Sequence, residues 1–188
     1  MRLPKRSDHP TPLRPQPDPP PMTTPTTSPS DVIGPDELSD RLDRLYCYHL
    51  MMVQWSRATA GRLTVSARRL LQTDLERDAR SHLDTANRLA QRVIQLGGTV
   101  TADPSDLLYR APIDSFELPD SPADHRAVLI RLDEFITSAL FAYQSLFDLI
   151  GATDPVSQRI IEDLVATATI RLGEVRAASG APPAREPI

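Results

Sequence analysis

Apolar and small residues recur at a spacing close to 3.6 in four stretches of this chain, and proline or glycine interrupts the pattern between them. The first stripe runs Leu38, Leu42, Leu45, His49, Met52, Ser56 and Ala60. The second runs Leu71, Leu75, Ala79, Ala86, Leu89, Val93 and Leu96, with His82 on the same face. The third takes in Leu129, Leu132, Ile136, Ala139, Tyr143, Phe147 and Ile150, and the fourth Ile161, Leu164, Ala168, Leu172 and Val175. Four amphipathic helices are therefore predicted, near 36–63, 67–96, 123–150 and 155–178.

Local signals set the ends. Pro35 followed by Asp36 and Glu37 suits a helix start, because proline lacks a donor the first turn cannot use and acids complement the helix dipole. Leu63 to Ser66 turns the chain into the second helix, and Gly97-Gly98 ends that helix in a left-handed cap. Gly151 stops the third helix. Asp154 is placed to cap the fourth, with Pro155 at its first position. Prolines 104, 112, 119 and 122 forbid one continuous helix between Gly98 and Ala123. Residues 105–110 have room for one short helical piece. A connection this long does not suit an up-down bundle, but it does suit one in which a link crosses the bundle's full length.

The run HLDTANRLAQRVIQLGG resembles the second helix of ferritin-like proteins, the bacterioferritins and the Dps miniferritins, where E-x-x-H-A-x-x-L-A-E-R-I-x-x-L-G-G is typical. TDPVSQ, just before the last helix, is similar to the D-P-V-T turn found there in the same proteins. The resemblance covers 35–178. It implies an all-α, ferritin-like four-helix bundle with a long crossover between the second and third helices, which then run parallel. By the same resemblance the chain belongs to the iron-storage and stress-protection group, with iron as its metal, and it assembles into a homo-oligomer, a closed shell in these families.

Such bundles hold two irons with a Glu from each of two helices and a Glu-x-x-His pair from each of the others. Anionic oxygen ligands are needed because iron(III) is a hard ion. Counted back from the LGG end, the bacterioferritin register puts Thr85 at the second helix's His position and His82 at its Glu position. His49 takes the Glu position of the first helix, Ile136 that of the third, and Ala168 and Arg171 the pair on the fourth. In the Dps register Gln54-Trp55 and Asn87, Gln91 and Arg92 stand at the family's ligand positions. Neither register keeps the acids, so no ferroxidase centre and no catalytic residue are expected.

His49 and His82 remain, both interior, with Asp78 one turn before His82. Two imidazoles and a carboxylate suit one divalent ion such as zinc. The competing expectation is a pair of core histidines satisfied by Thr85, Ser56, tyrosine hydroxyls or each other. Arg171 at an interior position must reach the bundle end or meet an acid such as Asp78, because an unpaired buried guanidinium is costly. His9 and His125 are expected in solvent. Arg68, Arg69, Arg77, Arg80, Arg88 and Arg92 give the second helix a basic side, expected to face solvent or another subunit.

Composition narrows the partners. The 188 residues carry 21 Lys and Arg against 25 Asp and Glu, a net charge of −4, which does not mark a nucleic-acid binder. Ten of the 19 prolines fall within 1–30, amid Thr and Ser. That composition has little to bury, so 1–34 is expected to be a disordered tail, 35–178 the bundle and 179–188 a flexible end. The tail's Arg2, Lys5, Arg6 and Arg14 against Asp8 and Asp18 make it weakly basic, which leaves a DNA-associating, Dps-like shell as an alternative. A metal-free helical interaction module is another. Cys47 is the sole cysteine, so no intrachain disulfide forms and a reducing compartment, the cytoplasm, is expected. No apolar run reaches membrane-spanning length, and the basic N-terminus lacks the apolar core of a secretory signal.

Overall fold

The computed structural model describes residues 33–113, 116–118 and 124–180. Of the expected tails, 1–32 and 181–188 lie outside the described residues, while Ile33 is buried against the core and Ser179 is the last residue of the final helix. Four long helices and one short one are present, α1 (Pro35–Arg62), α2 (Val65–Gln95), α3 (Pro104–Arg110), α4 (His125–Ile150) and α5 (Pro155–Ser179), with no strand among the described residues.

The helix ends follow the local chemistry. Pro35 opens α1 with Asp36 and Glu37 in its first turn. α4 begins at His125, two residues after the sequence expectation, because Asp124 is its cap and accepts from the backbone N–H groups of Arg126 and Ala127 at 3.0 and 3.1 Å. Asp154 does the same for α5, accepting from Val156 and Ser157. α2 starts earlier than expected, at Val65, since only Leu63 and Thr64 are needed to reverse the chain.

Contacts between the helices fix the topology. His49 meets His82, so α1 and α2, joined by a two-residue turn, are antiparallel. Arg77 pairs with Glu174, Arg88 with Asp163 and Arg92 with Asp154, so α5 runs opposite to α2. Asp133 pairs with Arg176 near the far ends of α4 and α5. His49 reaches Tyr143, and Trp55 lies edge-on to Phe135, so α4 runs opposite to α1. α2 and α4 are therefore parallel, and the segment between them crosses the length of the bundle.

That crossover is tied to α1. Asp43, 2% exposed, accepts from the Thr101 backbone N–H at 2.8 Å, the Thr101 hydroxyl at 2.6 Å and Arg110 Nε at 2.8 Å. Arg110 also donates to Asp40 at 2.6 Å. Further along, Phe116 stacks on Phe135 and lies against Tyr48. Trp55 is buried beneath this segment and donates its indole N–H to the Glu117 carbonyl at 3.0 Å. An indole N–H needs an acceptor when buried, and the crossover backbone supplies it.

The core is the set of predicted stripes. Leu42, Met52, Leu89, Val93, Ile150 and Ile161 are sealed from solvent. Each such side chain contributes about 2 kcal/mol on leaving water. The basic side of α2 is exposed at Arg68, Arg69, Arg77, Arg80 and Arg88, as expected. Arg77, Arg88 and the more buried Arg92 also form an ion-paired seam with α5, which the sequence did not predict, and Arg92 additionally donates to Ser157.

Candidate functional site

At the middle of the bundle the stripes do not close completely. They leave a cavity of about 310 Å³. All six positions that the bacterioferritin register singles out line it: His49, His82, Thr85, Ile136, Ala168 and Arg171. Met52, Leu132, Ala139 and Leu164 supply much of the remaining wall.

The two histidines are in direct contact. His49 Nδ1 and His82 Nδ1 stand 2.8 Å apart, and the Tyr143 hydroxyl is 2.9 Å from His49 Nε2. The Tyr143 and His49 rings are stacked, and Tyr48 lies edge-on to both imidazoles. His49 and Tyr143 are buried, whereas His82 keeps part of its surface open. Such a Nδ1 to Nδ1 contact is a hydrogen bond only if one ring donates and the other accepts, so at least one ring is neutral. Burial pushes both imidazoles down, His49 well below the usual histidine range with His82 beside it adding to the effect, and His82 to about 4 with the Arg171 charge helping. The phenol of Tyr143 is raised by burial and by Tyr48.

Asp78 is committed elsewhere. Its Oδ2 takes two hydrogen bonds from Arg171, 2.7 Å from Nη2 and 3.2 Å from Nε. Burial raises the Asp78 carboxyl while the guanidinium pulls it back down. Arg171 also donates to Glu174 at 2.8 Å, and Glu174 accepts from Arg77 at 3.0 Å. Asp78 and Glu174 are the carboxylates lining the cavity, and both are neutralised by guanidinium groups at its α2–α5 side. Of the sequence-predicted trio, His49 and His82 are brought together and Asp78 faces Arg171. Among the described residues no group of three or more His, Cys, Asp or Glu is placed to hold a metal ion.

Against solved structures this arrangement of helices has clear counterparts. The bacterioferritin-related protein of Bacteroides fragilis, described as a dodecameric thioferritin, superposes with a TM-score of 0.72 at 17% identity, over 79% of this chain and 87% of that one. The Dps of Listeria monocytogenes matches with a TM-score of 0.71 at 14% identity, over 78% and 95%. The Dps of Vibrio cholerae, described as one of the ferritin-like diiron-carboxylate proteins, matches at 0.69 and 16%, over 75% and 87%.

The fold is ferritin-like.

No family model matches the chain, and no curated protein matches it. Within the ferritin-like frame, the Dps-register residues Gln54, Asn87 and Gln91 are exposed on the outer surface of the bundle, and His125 is exposed at the start of α4. Of the partners the sequence offered these histidines, the structure brings in a tyrosine hydroxyl and the other imidazole, though the sequence did not single out Tyr143, whose place on the α4 stripe put it in the interior. Sequence reasoning missed the Asp43 clasp, for which no sequence signal exists beyond an acid next to Leu42. Cys47 is buried beside that clasp, its thiol raised to about 11 by burial and by the Asp43 charge. No helix among the described residues is long and apolar enough to cross a membrane.

Proposed function

We propose that this chain is a subunit of the iron-storage and stress-protection group that assembles into a cytoplasmic homo-oligomer and does not itself oxidise iron. The fold supports the group. The make-up of the central cavity carries the second part. A pair of irons bridged by oxygen requires several unpaired carboxylates around it. Here the six register positions offer two hydrogen-bonded imidazoles, a hydroxyl, a guanidinium and two hydrocarbons. The two carboxylates lining the cavity already serve arginines. A guanidinium at a former ligand position also repels a divalent cation. These residues do not fit a di-iron centre.

Assembly is supported by the likeness to a dodecameric protein and by the outer surface. Tyr109, Phe141 and Ile170 are large and exposed, and Phe141 lines a groove between α1 and α4. The deciding experiment combines native mass with oxygen-dependent iron(II) oxidation on the same preparation. The expected outcome is a homo-oligomer with oxidation no faster than buffer. Rapid oxidation saturating at two irons per subunit would refute the reading.

One divalent ion held by His49, His82 and Asp78 is the competing use of the site, favoured by the closeness of the two imidazoles. It requires Asp78 to leave Arg171 and the shared Nδ1 proton to be lost. Metal analysis of the purified protein is expected to find no stoichiometric zinc. Zinc at one per subunit, lost in both His49→Gln and His82→Gln, would establish the ion instead.

A further inference from the structure

The Tyr143, His49 and His82 chain has a direction. Tyr143 is buried, and its hydroxyl has His49 Nε2 as its hydrogen-bond partner among the described residues. If His49 donated to the phenol oxygen, the phenol proton would be left buried without an acceptor, which costs the full desolvation of that group. Tyr143 therefore donates to His49 Nε2. His49 then carries its proton on Nδ1 and donates it to His82 Nδ1. His82 accepts on Nδ1, so its own proton sits on Nε2. That nitrogen has no hydrogen-bond partner among the described residues, and it is not among the sealed polar atoms that lack one. His82 is half-buried and lines the cavity. A neutral imidazole with a fixed, unused N–H is thus presented at a chamber whose apolar wall is Met52, Leu132, Ile136, Ala139 and Leu164 and whose charged side is the α2–α5 seam.

The charges around the chamber cancel. Arg171 and Arg77 are matched by Asp78 and Glu174, with Asp74 also within 3.3 Å of Arg77. An ionic ligand would enter with no unpaired counter-charge to meet. The size is also informative. An apolar cavity of about 150 Å³ accommodates benzene, so one of about 310 Å³ suits a molecule of roughly twice as many heavy atoms. Pockets of this make-up, mostly apolar with a few convergent polar groups, are what small-molecule sites look like.

We infer that the central cavity is a binding site for a small neutral organic molecule with an apolar body and one acceptor oxygen, such as an aryl ketone or aldehyde, received by His82 Nε2–H. Occupancy by such a molecule rests on the cavity not being an iron centre, and the two are separable. Iron oxidation together with ketone binding would overturn only the reading of the site as iron-free. Failure to bind with no iron oxidation would overturn only the ligand site.

The test uses the full-length protein and three probes: acetophenone; cumene, which has the same number of non-hydrogen atoms and no acceptor; and benzoate. Binding is followed by calorimetry and by the imidazole nitrogen resonances of His82. Acetophenone is expected to bind saturably at one site per subunit and to shift the His82 Nε2 signal. Cumene should bind about tenfold more weakly, the worth of one buried hydrogen bond, and benzoate more weakly still. Ala168→Phe, on the half-buried wall of the cavity, should abolish binding while circular dichroism shows the fold retained. His82→Leu should erase the preference for acetophenone over cumene. Absence of saturable acetophenone binding, equal affinity for cumene in the unaltered protein, or undiminished binding in a folded Ala168→Phe protein would each overturn the proposal. The cumene comparison needs no variant, so it stands even if a substitution disturbs folding.

Discussion

Arg171 and Asp78 meet 2.7 Å apart across the α2–α5 seam, at the side of the cavity, with both side chains largely withdrawn from water. Removing one partner strands the other. Arg171→Met should lower stability in urea by about 3 kcal/mol, the low end of the cost of an orphaned buried charge. Asp78→Asn should cost about half as much, since the amide oxygen still accepts. The double variant Asp78→Leu with Arg171→Met should recover most of the loss, because two apolar side chains leave no charge unpaired. Arg171→Met should also raise the His82 pKa seen by NMR, since the guanidinium contributes to its depression. A double variant as unstable as the sum of the singles would show that the pair is not what couples these helices.

The four long helices were legible because each carries its own evidence, a stripe of period 3.6 between a proline or acid at one end and glycine or a chain reversal at the other. The interior placement of His49, His82 and Arg171 followed from the same stripes, and so did Arg171's need for an acid. What the stripes do not encode is pairing across long sequence separations. Nothing near Arg88 in the sequence points to its partner Asp163, 75 residues later. Asp43 looks like any helix-surface acid until Thr101 and Arg110 fold back on it. The burial of Trp55 was not legible for the same reason, because its cover is the crossover backbone, whose path no local pattern fixes. At the site, the sequence placed both histidines inside but left open whether they meet an ion or each other.

The histidine pair predicts a pH dependence. Both imidazoles are held neutral in the fold, with His82 lowered to about 4, whereas in the unfolded chain they titrate near 6.5. Between those values the unfolded state binds more protons, so stability is fully present above about pH 6.5 and falls as pH drops toward 4. The slope is about 1.4 kcal/mol per pH unit for each histidine involved. Asp78, raised by burial, acts weakly in the opposite sense. The difference between the unaltered protein and the double His49→Gln, His82→Gln variant isolates the pair. Their stabilities should converge by at least about 2 kcal/mol as pH is lowered from 7 to 5. Parallel profiles would mean the histidines are not buried neutral.

The crossover depends on Asp43. Its carboxylate holds the Thr101 backbone and hydroxyl and the Arg110 guanidinium at once. Asp43→Ala leaves three donors searching for partners and should cost about 3 kcal/mol. The loss should be local first. Amide hydrogen exchange should accelerate across 99–113 well before α2 and α5 are affected, because Asp43 is where both Thr101 and Arg110 of that segment are hydrogen-bonded to α1. Arg110→Ala should show a weaker form of the same pattern, since Thr101 keeps its acceptor. Uniform acceleration across the whole bundle would argue that Asp43 stabilises the fold globally.

The end of α2 separates two reasons for glycine. Gly97 has φ 84°, so an L side chain there is strained, though a Cβ would have nothing within 4 Å. Gly98 has an ordinary φ, but a Cβ would fall 1.8 Å from Ser39 Oγ, 3.0 Å from Ser39 Cβ and 3.2 Å from Val93 Cγ1. Gly97→Ala should therefore cost about 1 kcal/mol, the price of the left-handed conformation. Gly98→Ala should cost about 2–3 kcal/mol as overpacking between the crossover and α1, since the Ser39 hydroxyl, its Cβ and Val93 would all have to shift. Ser39→Ala removes the closest of the three atoms and leaves the other two. The double variant Gly98→Ala, Ser39→Ala should thus regain about 1 kcal/mol relative to additivity, while Ser39→Ala should leave the cost of Gly97→Ala unchanged. Thermal denaturation of the unaltered protein, the three single variants and the two double variants measures this. Equal costs for Gly98→Ala with and without the Ser39 hydroxyl would show that the hydroxyl is not what excludes a side chain there, and a cost for Gly98→Ala no greater than that of Gly97→Ala would show that close approach is not why glycine stands there.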